Sequence, residues 1–420
     1  MNVRRSAAAL AAATVVLGAA VPAVAATPSP TPSTAVPDGL YGTADPTYDG
    51  VWRQSLALLA QHTAGVTPAA KAVAWLAGQQ CANGAFAAFR ADTAEPCDAK
   101  LMVDTNSTAA AVQALAALGG HGTGAQKGVG WLKSVQNADG GWGYSPGGAT
   151  DANSTSVVAG ALAAAGQRPA DVRKAGKSAY DALVKLSLPC GKSGGGAFAY
   201  QPDKKGDLAA NADATAAGVL GALGKGFVTT AGKASQGDRA CGGSSAPPTP
   251  DELARNGAAY LAGAVAHDGF LKSVLPGAAN QPDYGNTADA VVALAALGWT
   301  EQAGKPLAWL ERNAAGWAKQ SGPAAYAQLV FAAHSTGADP RAFGGTDLVA
   351  QLNATGPAPQ SAAKSGGSAA SAADAKNTDD SADSGSSGPS YSLWLVIGVF
   401  LVVGIGIGFL VSRRGGKRQQ

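Results

Sequence analysis

Lys127-Gly128-Val129-Gly130-Trp131-Leu132, followed by Gln136 and by Gly140-Gly141-Trp142, is the stretch that decides the fold. It is echoed at the same internal spacing by Lys71-Ala72-Val73-Ala74-Trp75-Leu76, Gln80 and Gly84-Ala85-Phe86. Weaker copies stand at 257–261 with Asp268-Gly269-Phe270, at 305–310 with Trp317, and as a remnant at 348–356. Self-similarity of this kind means one supersecondary unit, used repeatedly, whose apolar face is covered by its neighbours.

A second element follows each clear copy. Asn106-Ser107-Thr108, Asn153-Ser154-Thr155 and Asn286-Thr287 lead into apolar runs that stop at Gly119, Gly166 and Gly298. Asn, Ser or Thr before such a run marks a helix N-terminus, and glycine after it a C-terminus. Between 109 and 118 only Gln113 is polar, so this helix must be buried on every side. The Trp131 helix is amphipathic, with Lys127 and Lys133 left for solvent. The repeat is therefore a helical hairpin. Counting 51–62, 323–336 and the run that starts at Asn211 as further buried copies gives six buried helices, with six partners starting near Pro68, Ala125, Asp171, Asp251, Gln302 and Gly345. The expectation is an all-α fold, an α6/α6 toroid of helical hairpins over 41–352. An open superhelix of the same hairpins is the alternative, and it would leave one face of each buried helix wet.

The unit at 127–142, Lys-Gly-x-x-Trp-Leu-x-x-x-Gln-x-x-x-Gly-x-Trp, resembles the QW repeat of squalene cyclases and the related repeat of protein prenyltransferases. The resemblance runs over most of 51–356. It implies an α/α toroid with a central cavity, a frame also used by cobalamin carriers of the transcobalamin type and by thioester domains of complement-like proteins. Class II terpene cyclases of this superfamily carry Asp-x-Asp-Asp-Thr-Ala at the start of a buried helix, and the middle aspartate delivers the proton. The corresponding runs here are Asp104-Thr105-Asn106-Ser107-Thr108-Ala109, Asp151-Ala152-Asn153-Ser154-Thr155-Ser156 and Asn211-Ala212-Asp213-Ala214-Thr215-Ala216. An asparagine amide cannot protonate carbon, which removes Asn106 and Asn153 as acids. Asp213 holds the donor slot but has Ala214 in place of the neighbouring acid. Helix capping explains all three runs without catalysis.

Other signatures fail on their residues. No cysteine at a matching spacing partners His62, His121, His267 or His334 for a prenyltransferase zinc, and the thioester run Gly-Cys-Gly-Glu-Gln is absent around Cys81. Gly191-Lys192-Ser193 lacks the preceding glycine and strand of a phosphate loop, and His267-Asp268 has no nucleophile elbow. No catalytic residue, metal or cofactor is predicted. What remains is a ring of loops feeding the N-termini of the buried helices. These loops carry Trp142, Tyr144, Tyr200 and Tyr284 beside Asp104, Asp151, Asn153, Asp213 and Asn286. Converging N–H donors and aromatic faces suit a small-molecule ligand with polar and planar parts. The resemblance to cobalamin carriers makes a corrinoid one candidate. The primary expectation is capture of that ligand without catalysis, for a membrane transporter. The alternatives are an extracellular enzyme of the cyclase-like or glycan-acting type, and a structural or protein-docking module.

The chain of 420 residues has 31 basic and 28 acidic side chains, and six of the basic ones (Arg4, Arg5, Arg413, Arg414, Lys417, Arg418) lie at its ends. Removing those six leaves 25 against 28, a near-neutral body with no basic stripe, which argues against nucleic acid as a partner. Residues 1–25 combine Arg4-Arg5, an apolar run and Ala23-Val24-Ala25, and read as a signal peptide. Residues 393–411 are uncharged and span about 28 Å as a helix, enough for a transmembrane span. The basic tail at 412–420 orients it with the N-terminus outside, giving a single-pass protein of the cell membrane. A Pro-rich linker at 26–40 and a Ser/Ala/Gly stalk at 353–390 flank the toroid. In the exported part, Cys81, Cys97, Cys190 and Cys241 are expected as disulfides, with Cys81–Cys97 and Cys190–Cys241 the favoured pairing and a zinc site the alternative.

Overall fold

The structure is a computed structural model and describes residues 35–233, 239–242, 246–275 and 277–361. The signal peptide at 1–25, the transmembrane span at 393–411, the tail at 412–420 and most of both linkers lie outside the described residues. Among those that are described, no helix is long and apolar enough to cross a membrane.

Twelve α-helices alternate between two sets among the described residues. The inner set is α1 (Gly50–Thr63), α3 (Thr105–Ala117), α5 (Ala152–Ala164), α7 (Ala212–Ala222), α9 (Tyr284–Ala296) and α11 (Pro323–Thr336). Each packs on the next and α11 packs back on α1, so the inner set closes into a ring rather than an open superhelix. The outer set is α2 (Ala70–Gly78), α4 (Gly122–Ser134), α6 (Ala179–Leu186), α8 (Pro250–Val265), α10 (Thr300–Ser321) and α12 (Leu348–Asn353), each against the inner helix preceding it. One two-stranded ladder, β1 (Leu271–Lys272) with β2 (Pro282–Asp283), joins α8 to α9. Every residue from Thr105 to Leu115 and from Ala152 to Leu162 is buried, as a helix with no polar face requires.

The repeat motif is a folding instruction that the contacts explain. Leu76 and Leu132 are fully buried beneath the outer helices. Gln136 donates through Nε2 to Gly140 O at 2.8 Å and Val172 O at 3.2 Å, and Gln80 likewise to Gly84 O and Gly124 O. Gly140 turns at φ 91° and Gly84 at φ 96°, where a side chain would be strained and would meet the backbone of the following repeat. The aromatic two residues on, Phe86 or Trp142, is then driven into the core with no exposed surface.

The residue two beyond each turn glycine is bolted to the inner helix that follows it. The N–H groups of Phe86, Trp142, Phe198 and Leu271 donate to the Oγ1 of Thr108, Thr155, Thr215 and Thr287 at 2.9–3.0 Å. The carbonyls of Phe86, Trp142 and Phe198 accept from the N–H groups of Asp104, Asp151 and Asn211. Two residues beyond the aromatic, the carbonyls of Ala88, Tyr144 and Tyr200 cap the helix behind by accepting from Val51, Thr105 and Ala152. One short strap thus clasps two neighbouring inner helices, which fixes the ring's circumference from local sequence.

Two starts differ from expectation. The inner helices are capped by Asp104, Asp151, Asn211 and Asp283, whose side chains accept from the N–H three residues on, so the Asn-Ser-Thr runs lie inside the first turn. Helix α6 begins at Ala179 and not near Asp171, because Pro169–Asp171 forms a lone 3-10 turn and a capping box of Ser178 with Asp181 sets the later start. The fold also extends past its expected edges. Gly39 O accepts from Gln54 Nε2, and Gln360 bonds Thr67 O and Pro68 O, so 353–360 docks beside the first hairpin. Disulfides join Cys81 to Cys97 and Cys190 to Cys241.

Candidate functional site

The inner ring encloses a cavity of about 80 Å³ on the axis, lined from all six inner helices. Trp52 and Leu56 come from α1, Gln113 from α3, Asn153, Ser156 and Val157 from α5, and Asp213, Ala216, Ala217 and Leu220 from α7. Asp289 and Val292 come from α9, and Gln328 and Phe331 from α11. Asp213 and Asn153 are second in their helices, so the polar part lies toward the helix N-termini. The opposite end is closed by Lys225-Gly226-Phe227, which follows α7 and turns into the ring.

That plug is held by a specific bond. Phe227 N–H donates to Gln113 Oε1 at 3.0 Å, and Gln113 Nε2 donates to Val157 O at 3.3 Å, which satisfies the one polar side chain on α3's apolar run. The Phe227 ring meets Trp52 edge-on at 5.5 Å and stacks with Phe331 at 6.5 Å, giving the cavity an aromatic wall. Lys225 Nζ donates to Ala296 O at the end of α9, a favourable place for a cation, and burial lowers its pKa.

The polar wall holds two carboxyl groups. Asn153 Nδ2 donates to Asp213 Oδ2 at 2.7 Å, and Gln328 Nε2 donates to Asp289 Oδ2 at 3.2 Å. Burial pushes Asp213 up to about 6, opposed by the Asn153 bond and assisted by Asp283 and Asp151. Burial pushes Asp289 up to about 7, with the charge of Asp213 adding to it. Such groups exchange protons near neutral pH. Beside them Asn153 Oδ1 and Ser156 Oγ are buried without a protein partner. So are both amide atoms of Asn106 on α3. These atoms have essentially no surface open to the cavity, so they do not define what it accepts.

The structure brings only Asn153 and Asp213, of the residues singled out by sequence, to the cavity lining. Trp142 is fully buried and its Nε1 donates to Leu132 O, so it packs the wall between repeats. Asp104 and Asp151 spend Oδ1 on Ser107 and Ser154 N–H as caps, and burial pushes each up to about 6. Tyr144 and Tyr200 stand beside those caps, and burial raises both phenols. Asn286 donates to the capping Asp283, while Tyr284 joins Phe270, Trp309 and Trp317 in an aromatic cluster at the α9 and α10 end. Sequence reading missed Asp289, Gln328, Ser156 and the aromatic wall. A polar residue on a helix otherwise buried all round was the available signal, and it was applied only to Gln113.

The corrinoid expectation does not survive the cavity. Pockets for drug-sized ligands occupy about 300–1,000 Å³, and a corrin macrocycle is larger than most such ligands. The space here is about 80 Å³. Among the described residues no cluster of three or more His, Cys, Asp or Glu is arranged to hold a metal.

No family model and no curated protein matches the sequence. Solved structures do. A protein from Actinoplanes is 17% identical, with 66% of this chain and 76% of that one covered and a TM-score of 0.42. ent-Copalyl diphosphate synthase from Streptomyces platensis is 17% identical at a TM-score of 0.44; 69% of this chain matches, spanning 50% of the synthase. The type II terpene cyclase MstE from Scytonema is 14% identical, with 62% and 68% covered and a TM-score of 0.40.

Proposed function

We propose that this protein binds a small polar organic molecule in the central cavity of its helical ring, on the outer side of a membrane to which residues 393–411 anchor it. The observation that carries the reading is the cavity itself, which is lined from all six inner helices and holds the carboxyl groups of Asp213 and Asp289 among largely apolar side chains. Each acid has a single amide partner, Asn153 for Asp213 and Gln328 for Asp289, so a polar ligand would add hydrogen bonds that the apolar lining does not offer. The two disulfides support an exported location. Titration calorimetry of the full chain against small polar metabolites tests it. A binder should lose about tenfold or more in affinity in Asp289→Leu, and a panel without any binder would end the reading.

A second reading, that the ligand is a substrate, is favoured by one observation. Asp213 and Asp289 have pKa values raised to about 6 and 7, which suits general acid or base work. Asp213 stands where the resemblance to class II cyclases puts the proton donor. In this reading Asp213→Asn abolishes turnover and leaves ligand affinity within about tenfold, whereas loss of affinity alone returns the site to simple binding.

A further inference from the structure

The depth of the cavity is set by a loop and not by the ring of helices. Five residues past the strap threonines Thr108, Thr155, Thr215 and Thr287 stand Gln113, Gly160, Leu220 and Val292, one on each of four consecutive inner helices. Gln113, Leu220 and Val292 line the cavity, and Gly160 is the gap between them. A Cβ on Gly160 would meet Gly226 Cα at 2.7 Å and Lys225 O at 3.0 Å, so the loop enters where α5 omits a side chain. Glycine disfavours a helix interior, and Gln113 is the only polar residue between 109 and 118. Both departures serve the same guest. Gly160 admits the loop, and Gln113 Oε1 accepts from Phe227 N–H at 3.0 Å. The Phe227 ring is thereby delivered to the axis, against Trp52 and Phe331.

Along the axis the lining changes character. Asp213 stands two residues before its strap threonine and Asp289 two residues after, whereas Leu220 and Val292 stand five after. Gln328 bonds Asp289, and three residues on along those two helices come Phe331 and Val292. The cavity is therefore polar toward the helix N-termini and apolar toward the plug, which suits a ligand with a polar head and a short apolar tail. We propose that Phe227 is the specificity-determining residue of this cavity, the floor that fixes how long a tail the ligand can carry. The inference rests on the binding reading above and adds to it the shape of the ligand, a short amphiphile with its head beside Asp213 and Asp289. Each methylene buried against Leu220, Val292 and Phe331 gains about fourfold in affinity. The first one that must overlap the Phe227 ring gains nothing and strains the packing. Because that ring stands on a loop, truncating it deepens the cavity without altering an inner helix.

The test is calorimetry of the full chain against the n-alkanols from ethanol to n-octanol, in the native protein, Phe227→Ala and Phe227→Leu. Native affinity should climb about fourfold per methylene and then stop. The longest alcohol that still gains should be about two or more carbons longer in Phe227→Ala, with a smaller extension in Phe227→Leu. The leucine variant keeps an apolar plug and carries the comparison if the alanine variant does not fold. Ala217→Leu, which fills the lining from α7, should weaken every alcohol about tenfold or more and so locate them in the cavity. The same length limit in native and variant proteins, or no limit up to n-octanol, overturns Phe227 as the floor and leaves the cavity as a ligand site. Binding that Ala217→Leu does not touch lies elsewhere and overturns it too. If no alcohol binds any of the proteins, the apolar tail is overturned, while the binding reading is judged by its own panel of polar metabolites.

Discussion

Asn153 and Asp213 are separated by 60 residues, yet Nδ2 of the first donates to Oδ2 of the second at 2.7 Å across neighbouring inner helices. The bond ties α5 to α7 at the cavity and decides which way each side chain presents itself. It uses one N–H of the Asn153 amide and leaves Oδ1 buried without a protein partner.

Its removal has a predictable electrical consequence. The Asn153 bond holds Asp213 down against burial, so Asn153→Leu should move the Asp213 titration upward from about 6. Asn153→Asp should raise it further, since a second charge would sit at hydrogen-bonding distance. Carboxyl-carbon NMR of the labelled protein across pH 4–9 reads this directly. A midpoint unchanged in both variants would show that the bond does not control the acid.

The raised acids also set the sign of the pH–stability curve. Asp104, Asp151 and Asp213 titrate at about 6 and Asp289 at about 7, all above the ordinary 3.8 of an unfolded aspartate. Between those values the folded state binds more protons than the unfolded one, so stability falls as pH rises from about 4 to about 7 and then levels. Asp45, Asp181 and Asp268 pull the other way, but they are exposed or nearly so. Thermal unfolding should show a higher Tm at pH 5 than at pH 7.5, with the gap narrowed in Asp289→Asn. A higher Tm at pH 7.5 would mean that the buried acids do not govern stability.

How much of this was legible follows from what a repeat can encode. The ring was readable because each strap uses only local partners: Gln136 on Gly140, Trp142 on Thr155, Tyr144 on Thr105. Those spacings recur, so the motif announces itself. The Cys81–Cys97 and Cys190–Cys241 pairs were readable for the same reason, each bracketing one excursion of the chain. The cavity was not, because its members come one or two from each helix and break the repeat. Asp289 stands two residues after Thr287, where the same place after Thr108, Thr155 and Thr215 holds Ala110, Val157 and Ala217, and nothing in a single sequence says which odd residue faces the axis. Trp142 misled in the opposite sense, since its prominence reflects packing.

The plug offers a test of how the cavity is sized. A Cβ on Gly226 would collide with Gln113 Oε1, the acceptor that holds Phe227, while Gly160 lets the same loop lie against α5. Gly226→Ala should therefore cost about 1–3 kcal/mol and shift the plug outward. Gln113→Leu should cost a similar amount by leaving the Phe227 N–H unpaired. Chemical denaturation gives the energies, and fluorescence of Trp52, which Phe227 touches, reports the displacement. Loss of stability without any change at Trp52 would mean that the loop rebinds in place.

The straps can be examined one hydroxyl at a time. Thr155 Oγ1 accepts from Trp142 N–H at 3.0 Å and donates toward Trp142 O at 3.3 Å, all of it buried. Thr155→Val keeps the shape and removes the acceptor, leaving a buried N–H unsatisfied at about 1–3 kcal/mol. Thr155→Ser keeps the hydroxyl and loses a methyl group, for roughly 0.8 kcal/mol or somewhat more if a void remains. Packing alone would rank the two the other way, since valine fills the site and serine does not. Hydrogen exchange at the Trp142 amide separates the causes: it should quicken in the valine variant and stay slow in the serine one. The same order at Thr108 and Thr215 would establish the strap as the repeated unit of stability, and a reversed order would assign the ring's cohesion to apolar contact alone.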